Sequence, residues 1–323
     1  MNFYLQFTIP AFQQKLSYEQ KCIFIGSCFA ENIGEKMQEH KFNCLINPHG
    51  VLYNPISIAQ ALRRYLNDAS LKDEDLFYAH EQWNSWEHHS RYSHADKEQC
   101  IKSINQEIAA AHTYLKEVQW LFITFGSSFV YKRKDNGNYV GNCHKVPAAQ
   151  FEKELLSSEY IIKEYSELIL QLKKFNPNLK IVFTVSPVRY IRDGVVENNI
   201  SKANLITAVH ELVNAFEHVF YFPAYEIVID ELRDYRFYKE DLVHPNEIAI
   251  NYVYEKLIEV LLDKSTKKQQ EKILELINAM RHKPFNEQSE AHQKFKANYL
   301  ARCKEIQKEL PVIDLKKEEA YFG

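Results

Sequence analysis

Cys22-Ile23-Phe24-Ile25-Gly26-Ser27-Cys28-Phe29-Ala30-Glu31-Asn32 is a short apolar run that stops at a glycine and passes into a helical pattern. The apolar run suits a strand buried on both faces, as in a parallel sheet. Gly26 permits a tight turn at the strand end. Two nucleophilic side chains, Ser27 and Cys28, stand where the helix begins. A helix N-terminus presents unpaired N–H groups and a positive field, which favour a thiolate or a developing oxyanion. An ordinary strand–helix junction with a buried cysteine fits the same residues.

Outward from this stretch, strands and helices alternate. The first strand is expected at about 22–26 and a helix at 29–40, with Ile33 and Met37 on one face. An extended arm covers 1–20. A second strand at 42–46 runs into the turn Asn47-Pro48-His49-Gly50, and Pro55 opens a helix to about residue 66. Residues 70–96 are less regular, and a helix follows at 97–116. Trp120–Phe125 is an apolar strand ending at Gly126-Ser127-Ser128. Phe129–Lys132, Asp135-Asn136-Gly137 and Tyr139-Val140 then read as a β-hairpin with Asn-Gly in its turn. Helices at 159–175, 201–217, from 224, and 246–263 alternate with strands at 180–185 and 219–222. This order predicts a parallel sheet with helices on both faces, with ligands at the carboxyl ends of the strands. Beyond 263, Lys, Glu and Gln dominate two helical patterns broken at Pro284. We therefore divide the chain into a domain at 1–263 and a helical extension at 264–323. The extension packs on the domain, serves self-association, or is a solvated tail.

The 323 residues are 46% apolar and 26% charged, as in ordinary globular proteins. A net charge of −3 gives no basis for binding nucleic acid or an anionic membrane. Cys22, Cys28, Cys44, Cys100, Cys143 and Cys303 form no CxxC pair, so no disulfides are implied and a reducing compartment is expected. Met1–Phe7 lacks the basic and apolar regions of a signal peptide, and no apolar run reaches transmembrane length, which makes the cytoplasm the expected location.

A nucleophile needs a base, and the base needs a group to orient it. Asp241-x-x-His244 supplies both from one loop: an Asp three residues before a His turns back to hold one ring nitrogen and leaves the other facing outward. Gly26-Ser27-Cys28-Phe29-Ala30 spells the motif of the GSCFA family, and over residues 3–260 the chain resembles it; that family is similar to the SGNH (GDSL-like) hydrolases. The resemblance implies an SGNH/flavodoxin-like three-layer α/β sandwich with a central parallel sheet. It implies Cys28 at the nucleophile position, with Ser27 as the alternative, His244 as base and Asp241 as its orienter. Gly50 matches the second motif block, which serves the oxyanion. Gly126 opens the third, where Ser128 stands in place of Asn, and Asn142 is the replacement donor. Since losing one oxyanion donor costs roughly 10²–10³ in rate, some such replacement is needed. A helix N-terminus and a nearby His are expected to lower the Cys28 thiol pKa.

The implied activity is hydrolysis or transfer of an acyl group from an O-acylated carbohydrate or another small ester. An inactive binding module of the same fold is the alternative. No cofactor is expected. Cys143-His144 and the His88-His89-Ser90-Arg91 cluster carry potential zinc ligands without a ligand framework around them, so no metal is expected. Lys145 and Arg189 are candidates to clamp an anionic substrate group, and His144 is a candidate substrate contact. Trp83 and Trp86 are placed to stack on a sugar ring or to fill the core.

Overall fold

The computed structural model describes residues 5–323, so the first four residues of the expected arm lie outside the described residues. The strands are, in chain order, β1 (Lys21–Gly26), β2 (Asn43–Ile46), β3 (Leu76–Ala79), β4 (Gln82–Ser85), β5 (Trp120–Phe125), β6 (Phe129–Arg133), β7 (Tyr139–Val140), β8 (Phe151–Leu155), β9 (Lys180–Val185) and β10 (Val219–Tyr221). The helices are α1 (Cys28–Glu39), α2 (Pro55–Asn67), α3 (Lys97–Glu117), α4 (Ser158–Phe175), α5 (Val195–Ala215), the single turn α6 (Ala224–Glu226), α7 (Glu247–Leu261), α8 (Lys264–Arg281), α9 (Glu290–Glu309) and α10 (Lys316–Phe322).

Alternation along the buried strands divides the core in two. Cys22 and Phe24 of β1, with Trp120 and Phe122 of β5, pack with α1 and α7 on one face. Ile23 and Ile25, with Leu121, Ile123 and Phe125, pack with α2, α4 and α5 on the other. The result is the expected three-layer sandwich. Its parallel sheet has the order β2-β1-β5-β9-β10. The chain steps from β1 outward to β2, then crosses back past β1 to β5. The reversal therefore falls between β1 and β5, and the crevice at their carboxyl ends is where such sheets bind ligands.

Several boundaries differ from expectation. The segment 70–96 contains the hairpin β3–β4, closed by His80 and Glu81 with φ of 53° and 61°. Such a two-residue turn needs positive φ at both positions and normally advertises itself by Asn or Gly, which are missing here. The β6–β7 hairpin is extended by β8, which pairs with β6. Helix α5 starts at Val195, six residues before the expected start at 201, after Gly194 with φ of 117°.

Residues 264–323 form three helices rather than two. They bury Ile273, Leu276, Ile306 and Phe322 in the same core as α1 and α7. The Gln270 amide donates to Tyr254 Oη at 2.9 Å, and Tyr254 Oη is 2.7 Å from His40 Nδ1. Lys41 meets the buried carboxylate of Glu318 at 2.7 Å. At the other end of the chain, the Phe12 and Leu16 N–H groups donate to Val260 and Leu261 carbonyls at 3.2 and 3.0 Å. Both side chains are buried there. Among the described residues no helix is long and apolar enough to cross a membrane.

Candidate active site

Hydrogen bonds from backbone N–H groups, one of them to the Asn47 side chain, stitch the ends of three strands together. Gly26, with φ of 137°, closes β1. A Cβ there would run into the Thr124 carbonyl oxygen of β5, so the strands approach this closely only because the residue is glycine. Its N–H donates to Asn47 Oδ1 at 2.8 Å, and its carbonyl accepts from Leu52 N–H at 2.9 Å. The Gly126 and Ser127 N–H groups both donate to the Tyr53 carbonyl, at 2.8 and 3.0 Å. The carboxyl ends of β1, β2 and β5 thus form one rigid rim.

Ser27 and Cys28 stand on this rim in different roles. Ser27 is the N-cap of α1, is buried, and its Oγ accepts from Phe29 N–H at 3.3 Å. Cys28 is the first residue of the helix and is partly exposed. Its thiol is pushed up from the ordinary value, against the expectation of a lowered one. Burial is the main cause and the Glu31 carboxylate one turn on adds to it. These outweigh the opposing N–H groups of Phe29 and Cys28 and the Lys239 ammonium.

The loop carrying Asp241 and His244 closes on itself. The Lys239 N–H donates to the His244 carbonyl at 2.8 Å, and Asn246 N–H donates to Phe237 at 2.9 Å. Asp241 Oδ2 is 2.7 Å from His244 Nδ1, while its Oδ1 accepts from the N–H groups of Val243 and His244 at 2.9 and 3.0 Å. Those N–H groups, His244 first, hold the Asp241 carboxyl down at about 2. The carboxylate fixes the ring's Nδ1 side and leaves Nε2 to act. Lys239, on this loop, is near enough for its charge to act on Cys28. The thiol and the imidazole are not hydrogen-bonded to each other among the described residues. Arg189 belongs here too: its N–H donates to the Val243 carbonyl at 3.3 Å, and its guanidinium lies 4.9 Å from the Tyr238 ring centre.

Other expected site residues are engaged elsewhere. The Gly50 N–H is taken up by the Asn47 carbonyl at 2.6 Å in its own turn, with φ of 80°. The Ser128 hydroxyl is fully buried and bonds Ser201, 3.2 Å from its carbonyl and 3.1 Å from its Oγ. Asn142 Oδ1 accepts from His144 N–H at 2.9 Å. His144 is buried with Nε2 2.8 Å from the Ser85 carbonyl, and burial lowers its pKa. Lys145 is exposed. His144 and Asn142 thus belong to the β4 side of the molecule. Trp86 is covered by the Phe77 ring at 3.6 Å and by the Arg133 guanidinium at 4.9 Å, which leaves neither face for a sugar. Trp83 packs beside Tyr78 and under Lys97. His88 is buried and stacked 4.0 Å from His49.

One residue at this rim escaped the sequence reading. Lys202 is only 1% exposed, and its Nζ donates to the carbonyls of Gly126 at 2.7 Å and Ser186 at 2.6 Å. The signal for it is a cation on an otherwise buried helical face with Leu205, Val209 and Leu212, already inside the helix expected at 201–217.

A family model described as GSCFA family matches residues 21–257, and one described as GSCFA domain protein, C-terminal domain, matches residues 273–323. No curated protein matches the chain. Among solved structures, the chain is similar to an acetyl xylan esterase (Est2A) from the rumen bacterium Butyrivibrio proteoclasticus, with 14% identity and a TM-score of 0.34. The match covers 76% of this chain and 64% of that one, so the chain spans less than two thirds of that esterase's length.

Proposed function

This chain belongs to the GSCFA family, and on that footing we propose that it cleaves or transfers an ester-linked acyl group through an acyl-enzyme on Cys28. The observation that carries the reading is the Asp241–His244 pair, oriented at 2.7 Å on a loop whose Lys239 acts on Cys28 at the α1 N-terminus. Arg189, pinned to the same loop through Val243, is the candidate to hold an anionic part of the substrate. The substrate class we favour is an O-acylated carbohydrate or another small ester.

In this reading His244 Nε2 takes the Sγ proton, and the thiolate attacks the ester carbonyl. The Cys28 N–H at the helix start faces the oxyanion. Collapse of the tetrahedral intermediate expels the alkoxide, which takes the proton back from His244. The resulting thioester passes its acyl group to water or to an acceptor hydroxyl that His244 deprotonates. With its ordinary donor positions at Gly50 and Ser128 committed internally, the oxyanion leans mainly on the helix end.

Incubation with a panel of acyl donors, followed by peptide mass spectrometry, tests the reading. An acyl adduct on the peptide containing Cys28 is expected, lost in Cys28→Ala and accumulating in His244→Ala supplied with an activated donor. A folded protein that binds ligand but acquires no adduct at Cys28 or Ser27 makes it a binding module instead.

A further inference from the structure

We propose that residues 187–194 form a strap across the carboxyl edge, and that Lys153 is the positioning residue that holds it, and Arg189 with it, against the loop of Asp241 and His244. The part given to Arg189 rests on the reading of that residue as the holder of an anionic substrate group.

Register builds the anchor first. Tyr131 of β6 and Lys153 of β8 are directly paired, so their side chains share one face of the three-stranded sheet β7-β6-β8. Phe129, two residues before Tyr131, lies on that same face. Tyr190 of the strap closes over them. The Lys153 ammonium lies 4.2 Å from the Phe129 ring centre, 5.4 Å from that of Tyr190 and 5.6 Å from that of Tyr131. Tyr190 Oη is 3.3 Å from Tyr131 Oη. Asp193, also on the strap, is the ion-pair partner of Lys153, and both side chains are mostly buried. A cation between aromatic faces gains as water is excluded, and the carboxylate cancels a charge that burial would otherwise leave uncompensated. One side chain thus gathers Tyr190 and Asp193 onto a sheet separate from the central one.

What the strap carries gives the anchor its meaning. The strap leaves the rim after Ser186, whose N–H donates to the Phe125 carbonyl at 2.8 Å, and ends at Gly194, where α5 begins. Between these ends the Arg189 N–H donates to the Val243 carbonyl at 3.3 Å, and Val243 directly precedes His244. The Arg189 guanidinium lies 4.9 Å and 5.9 Å from the ring centres of Tyr238 and Tyr235, which flank the same loop. Ile191 and Arg192 are exposed, so the strap is held by polar ties rather than by burial. Two of those ties come from its own α5 end: Tyr190 N–H donates to Asn198 Oδ1 at 2.9 Å, and Gly194 N–H to the Ile191 carbonyl at 3.1 Å. Lys153 supplies the tie from the opposite side. Cutting it frees the middle of the strap and leaves the rim and the start of α5 in place.

Trypsin reads the strap without any turnover, because Arg192 offers an exposed cleavage point. In Lys153→Met, cleavage after Arg192 in the native protein, followed by peptide mass spectrometry, should run roughly tenfold faster with the melting transition kept. Lys153→Arg should restore most of the protection. A folded Lys153→Met protein cut at the wild-type rate overturns the proposal. Should Lys153→Met lose its cooperative melting transition, Phe129→Leu takes its place, since it removes the nearest ring face and leaves the ion pair; an unchanged cleavage rate there overturns the proposal in the same way. Kinetics separate positioning from support. In Lys153→Met, KM for mono-p-nitrophenyl succinate, whose acyl group is anionic, should rise roughly three- to tenfold, while KM for neutral p-nitrophenyl acetate and kcat for both esters stay near wild type. If Arg189→Ala raises the succinyl KM and Lys153→Met does not, the positioning role is overturned. If neither variant raises it, or wild-type protein turns over neither ester, the reading of Arg189 or of the ester chemistry fails alone, and the cleavage rates decide the strap.

Discussion

Ser27 and Cys28 are adjacent in the chain and divided in their work. The Ser27 hydroxyl caps α1 from a buried position, while Cys28 reaches partial exposure one residue later. Substitution of Ser27 by Ala should therefore cost about 1 kcal/mol of stability, the ordinary value of a lost N-cap, with acyl-adduct formation retained. Urea denaturation and the mass-spectrometric assay separate the two effects. Cys28→Ala should do the reverse, leaving the unfolding midpoint nearly unchanged and abolishing the adduct. His244→Ala should slow turnover roughly 10²–10⁴-fold, the usual yield of a positioned acid–base group. Asp241, held near 2 by backbone N–H groups, is lowered relative to an unfolded Asp near 3.9. Its contribution to stability is present above that unfolded value and fades as pH falls toward 2. An acid limb of the rate profile above pH 4 therefore belongs to another group, and Asp241→Asn, which leaves the His244 ring without its carboxylate partner, should lower the rate throughout.

Elements with a strong local pattern were readable and elements made by pairing were not. The strands over Cys22–Gly26, Trp120–Phe125 and Lys180–Val185 show in sequence because burial on both faces demands an unbroken apolar run. The turn residue Gly26 shows for the same reason, and Gly26→Ala should cost ~2 kcal/mol or more, read from the urea midpoint, because strain at a positive φ adds to a clash with β5. By contrast β3, β4 and β8 are half-exposed strands that owe their existence to partners, and the β3–β4 turn uses His80-Glu81 where Asn-Gly would have announced it. The Asp241–His244 spacing was legible because an Asp three residues before a His closes locally. Lys202 was not, since its meaning depends on Gly126 and Ser186, 76 and 16 residues away. Gly50 and Ser128 were expected as oxyanion donors, and they follow β2 and β5 in the chain. Their hydrogen bonds go inward, which only the folded arrangement of Asn47 and Ser201 decides.

For the molecule as a whole, two cores share one sheet, and the layer of α1 and α7 is finished by α8–α10. Deleting 264–323 should uncover the buried Tyr254 and His40 side of that layer and lower the melting temperature or cause aggregation, checked by circular dichroism and size-exclusion chromatography. Lys202 makes a second global prediction. Its folded pKa near 7 lies below an unfolded value near 10.4, so the unfolded chain holds the extra proton between those pH values. Wild-type stability relative to Lys202→Met should rise across that window, by at most about 1.4 kcal/mol per pH unit, and flatten outside it. The clasp of Phe12 and Leu16 onto Val260 and Leu261 has a consequence for synthesis on the ribosome. The early segment emerges long before its dock has been translated. At roughly 5–20 residues per second, its greasy side chains wait on the order of ten seconds or more with nowhere to settle. That interval is when a nascent-chain chaperone has most to shield.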